Sequence, residues 1–139
     1  MITRIYSKVD PDQIILSFFG SKDLSSLRED VSPKKEFLQV AGMKLEKGFR
    51  IKAHKHKNLE RRSLITQESW LVFSGKINAK FFDLDDTPIY ECDLGAGDCV
   101  VVFRGGHLFE VLEENTIFYE FKNGPYFGAE KDRILIDVK

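Results

Sequence analysis

His54-Lys55-His56 holds two of the three histidines in this 139-residue chain. Strand side chains alternate between faces, so two histidines one residue apart on a strand point the same way. Neutral imidazole is the commonest protein ligand for zinc, iron, nickel and copper. The third histidine, His107, follows Gly105-Gly106 at the end of a run that reads as a strand. A pair on one strand face and a third behind a glycine turn could build a metal centre. The alternative is three ordinary polar residues at a sheet edge.

The elements that must position these residues read as β from Glu36 onward. Phe49, Ile51 and Ala53 alternate with Arg50, Lys52 and His54, the period of a half-buried strand. Lys57 to Ser63 is charged and reads as a loop. Thr66 to Ser74 is a strand ending at Gly75, and Ile77, Ala79 and Phe81 alternate cleanly with Lys76, Asn78 and Lys80. Ile89 to Cys92, Cys99 to Phe103, Leu108 to Leu112, Thr116 to Phe121 and Ile134 to Val138 complete the series, with turn residues between them. Short strands at this spacing predict an antiparallel sandwich or barrel.

Residues 1–35 read differently. Met1 to Tyr6 suits a short strand, Gln13 to Phe19 is too short to assign, and Ser21 to Asp30 could hold a helical turn before Ser32-Pro33. The expected organisation is an irregular N-terminal arm over 1–35 followed by one β domain over 36–139.

Composition narrows the function. A hydrophobic fraction of 42% supports a packed core and excludes a disordered chain. The net charge of −1 argues for neither nucleic acid nor an acidic membrane surface. Cys92 and Cys99 are the only cysteines, too few for a disulfide scaffold and without a zinc-type pair spacing. No stretch is long and apolar enough to span a membrane, and the N-terminus has no signal-peptide core. A soluble cytoplasmic protein with free thiols is expected.

The run Gly48-(x5)-His54-x-His56-(x11)-Glu68-(x6)-Gly75 resembles the first motif of the cupin superfamily, and Gly97-Asp98-(x6)-Gly105-Gly106-His107 resembles the second. The resemblance covers Glu36 to Phe121 and implies an antiparallel jelly-roll barrel, the double-stranded β-helix. The family's glutamate usually follows the second histidine closely, at the spacing Glu60 occupies. Glu60 lies in the charged loop and lacks the step to a glycine, which Glu68 has, so Glu68 is favoured and the intervening loop is lengthened. Phe103 stands where the second motif usually has proline. Gly105 to Glu110 and Phe121 to Tyr126 also look like a group of small bacterial cupins whose genes often lie beside surface-polysaccharide genes.

The resemblance implies a metal site of His54, His56, Glu68 and His107 for a divalent zinc, iron, manganese, nickel or cobalt ion. It also implies a small polar ligand such as a sugar or sugar nucleotide, handled by isomerase-like, epimerase-like or dioxygenase-like chemistry. Around that site, Arg50 shares strand parity with the histidines and could attract an anionic ligand. Arg62 and Gln67 flank the lengthened loop and could cover the site. Trp70 shares a face with Glu68, as core or as a stacking platform, and Glu120 is the candidate acid/base group. A non-catalytic binding module and a metal-free epimerase-type cupin remain open. A homodimer is expected, with the N-terminal arm as strand donor.

Overall fold

The computed structural model describes residues 1–138. Ten strands, one 3-10 turn (Ser21–Asp23) and one short helix follow in the order β1 Thr3–Tyr6, β2 Ile14–Gly20, β3 Arg28–Asp30, β4 Ala41–Met43, β5 Glu68–Ser74, β6 Lys76–Phe82, β7 Pro88–Gly95, β8 Asp98–Val102, β9 Gly106–Val111, β10 Ile117–Lys122 and α1 Ala129–Asp132. All pairings are antiparallel. The larger sheet has the order β1-β2-β8-β5-β10, the second has β7-β6-β9, and β3 and β4 form a separate ribbon.

Period-two burial explains how the two larger sheets meet. Leu16, Trp70, Val72, Val100 and Val102 of the first sheet share one buried cluster with Ile77, Ala79, Phe81 and Leu94 of the second. The opposite face of the first sheet, with Phe19, Cys99 and Val101, is covered by Val31, Leu38 and Val40 from the segment that carries β3 and β4. The architecture is all-β and compatible with a sandwich or jelly roll. Its sheets do not close into a barrel among the described residues.

Two glycines set tight corners that no other residue would fit. Gly75 turns β5 into β6 with φ +78°, and an added Cβ there would run into Thr116. Gly105 enters β9 with φ +78° against the Phe82 carbonyl. Positive φ is nearly free for glycine and strained for other residues.

Several expectations need correction. Residues 1–35 are not an irregular arm, because β1 and β2 are laddered into the larger sheet and β3 pairs with β4. Met1 to Tyr6 does contain a strand, but β2 enters the sheet by pairing with β8, some eighty residues on, which local pattern could not reveal. Phe49 to His54 is not a strand, since residues 44–67 carry no strand at all. No backbone–backbone hydrogen bond joins residues 50–64 to any other part of the described chain. A strand exists only by pairing, and the alternation there found no neighbour. Ile134 to Val138 is likewise outside any strand, with Ile134 94% exposed.

Candidate functional site

Register places three inward-facing layers between the sheets. His107, Phe109 and Val111 of β9 pair with Phe81, Ala79 and Ile77 of β6, whose side chains form the core. Across from them, Lys122, Glu120 and Phe118 of β10 pair with Glu68, Trp70 and Val72 of β5. Glu68 and His107 therefore start their strands at the same end and approach from opposite sheets. His107 Nε2 lies 2.9 Å from Glu68 Oε1.

The surroundings of this pair are aromatic on one side and charged on the other. Trp70, only 1% exposed, sets its ring edge-on to His107 at 5.2 Å and to Phe109 at 5.4 Å. Phe109 and Phe118 meet at 5.0 Å farther from the pair, Phe118 packed against the core and Phe109 partly open to solvent. Lys122 bonds Glu120 at 3.0 Å and lies over the Tyr126 ring. Burial works against the charged form of Glu68. The His107 hydrogen bond outweighs it, with the charges of His107 and Lys122 and the Trp70 indole, and holds the carboxyl below its ordinary value. Trp70 Nε1 has no complete hydrogen bond of its own, although its N–H lies close enough to favour the Glu68 carboxylate. A buried donor without a partner is uncommon in native structures.

Glu68 and His107 are joined by a carboxylate–imidazole hydrogen bond of ordinary length, and both are of the side-chain types that could hold a metal ion. His54 and His56 form a second pair, elsewhere. Both are exposed, their rings 5.5 Å apart, and His54 Nδ1 donates to the Lys52 carbonyl at 2.9 Å. Such a bond leaves Nε2 with the lone pair a metal would need. Among the described residues no group of three or more His, Cys, Asp or Glu side chains is gathered for an ion. The four candidate ligands thus stand as two pairs.

The other candidates fall in varied places. Glu120 faces inward next to Trp70 in the ladder and is tied to Lys122. Arg50 is exposed, and Arg62 is exposed and paired with Glu60 at 2.6 Å. Gln67 is 2% exposed and works as a staple: its amide donates to Glu36 and accepts from the Leu38 N–H, while Arg104 also holds Glu36 at 2.8 Å. That network fastens residues 36–38 to the start of β5, so Gln67 does not cover the site. Trp70 is core, with its edge on His107. Sequence reading missed Lys122, although its place two residues after Glu120 puts both on one strand face.

Compared with family models, curated proteins and solved structures, the chain matches none.

Proposed function

We propose that this chain is a cupin-like, metal-binding protein acting on a small polar metabolite such as a sugar or sugar nucleotide. The observation that supports the reading is the meeting of a carboxylate and an imidazole, Glu68 and His107, brought from opposite sheets to 2.9 Å. His54 and His56 would complete the set from the segment between β4 and β5. Residues 50–64 of that segment, which carry both histidines, make no backbone–backbone hydrogen bond to the rest of the described chain. A bound divalent ion would supply Lewis-acid chemistry. The protein's own residues would orient the ligand: the Trp70 N–H faces the Glu68 carboxylate and helps keep it charged, and Glu120 or Lys122 moves a proton at the same interior face.

A second reading has its own support. Only Glu68 and His107 are assembled, and a hydrogen-bonded carboxylate–imidazole pair is itself a general acid/base device. This is the metal-free, epimerase-type alternative.

Metal analysis of protein purified without added metal separates the two. On the metal reading, about one equivalent of a transition ion copurifies, and His107→Ala and His54→Ala each lower affinity at least tenfold. Metal-free protein that binds none on titration with zinc, iron(II) or nickel would sink that reading. Turnover lost in Glu68→Gln with no metal present would then favour the acid/base pair.

A further inference from the structure

The β10 edge of the larger sheet has no strand beside it among the described residues. Asn123 donates its N–H to the Gln67 carbonyl across the β5 side. By antiparallel alternation, Phe118, Glu120 and Lys122 then present their backbone groups outward, toward open solvent. The outer face of β5 and β10 beside that edge consists of Ser69, Leu71, Phe73, Tyr119 and Phe121, without a charged residue. Phe73 is 64% exposed, and Tyr119 and Phe121 are about half exposed. Their rings form a continuous strip, Phe73 to Tyr119 at 6.2 Å and Tyr119 to Phe121 at 6.5 Å. An open edge next to an exposed apolar face is a template for another strand.

We propose that the occupant is a second copy of this chain, β10 pairing antiparallel with β10 of its partner about a two-fold axis normal to the sheet. Such an axis keeps inner faces aligned with inner faces, so paired residues must have the same parity. Centring the axis on Glu120 would set like charges face to face. Centring it on Tyr119 leaves both lysines beyond the opposing glutamates. Centring it on Phe121 sets Glu120 opposite the partner's Lys122 and Lys122 opposite the partner's Glu120. Phe121 then meets Phe121 of the partner subunit in a close, non-hydrogen-bonded pair. The Glu120–Lys122 ion pair within each chain then joins its partner's in a ring of four alternating charges about the axis, a register that a copy of the same strand supplies and an unrelated strand would not.

The five-stranded sheet becomes one of ten strands. The inward faces of Glu120 and Lys122 bring the partner's side chains to the wall beside Glu68. The interface does not depend on the metal reading, since it involves none of the four proposed ligands.

The test combines sedimentation with cysteine cross-linking on the full chain. Wild-type protein should sediment as a dimer at tens of micromolar. Glu120→Lys places lysine against lysine and should weaken dimerisation at least tenfold. Adding Lys122→Glu to that variant swaps both signs and should restore the dimer. Under mild oxidation, Phe121→Cys should give a covalent dimer, while Tyr119→Cys and the wild type should not. If the charge variants fail to fold, the Phe121→Cys result decides alone. A monomeric wild type overturns the proposal, whether the β10 amides are protected from hydrogen exchange by the chain's own 44–66 segment or left open for another partner. A dimer indifferent to Glu120→Lys, or one cross-linked through Tyr119→Cys, overturns it equally.

Discussion

At the scale of single residues, the histidines divide by environment. His107 sits on a paired strand, where register with Phe81 aims it at the core side and Glu68 receives it. His54 and His56 share a spacing that would align them on a strand, yet they lie on exposed chain without one. The two cysteines follow the same logic of burial. Desolvation, then the charges of Asp93, Asp98 and Glu91, push the Cys92 thiol up to about 11. Burial also raises the Cys99 thiol, against the hydrogen bond to Ser69. Thiolate is the reactive form, so both should be inert near neutrality. Iodoacetamide at pH 8 should label neither cysteine of the native protein within an hour, and both once guanidinium unfolds it. Fast native labelling of Cys92 would show that it is not packed as described.

At the scale of elements, pairing decides what alternation only suggests. β6 has the cleanest apolar alternation and pairs on both sides, with β7 and with β9. Phe49 and Ile51 have a similar pattern but stay 54% and 75% exposed, because no neighbouring edge takes them. Corners matter as much as strands. Gly75→Ala would force an unfavourable φ and push Cβ into Thr116, whose hydroxyl otherwise receives the Lys76 N–H. The expected loss is about 1–3 kcal/mol, read from the urea midpoint at constant slope. Gly48→Ala makes the contrast: its Cβ meets nothing, so only the backbone strain should register. Equal losses at the two glycines would contradict the close approach of Thr116.

At the scale of the whole molecule, carboxylates outside the site shape acid stability. Hydrogen bonds from Ser25 and Ser26 hold Glu29 below its ordinary value, those from Thr87 do so for Asp85, and Asn78 with Lys76 does so for Asp93. A lowered folded value means that the unfolded chain binds more protons in the window between the two. Stability from these groups is therefore complete above the unfolded carboxylate range near about 4 and is lost as pH falls through the folded values. Asp85 and Asp93 are exposed and Glu29 partly so, so each share is small. The melting temperature should hold between pH 7 and about 5 and then decline steadily below about 4. A curve flat to pH 2 would show that these bonds are broken in solution.

Much of the β architecture was legible in the sequence. β5 through β10 follow from period-two alternation between Gly, Asp and Asn turns, because both signals act over a few residues. The choice of Glu68 over Glu60 rested on its six-residue step to Gly75 and its place in a strand, and Glu68 lies 2.9 Å from His107. Other features had no local signal. That β1 and β2 join the sheet through β8, that Gln67 staples Glu36, and that residues 49–56 stay unpaired all depend on partners dozens of residues away. The order of residues determined which segments could be strands and which side chains would share a face. Only the tertiary structure decided which edges met and which histidine reached a carboxylate, because a strand's partner is set by packing across the chain.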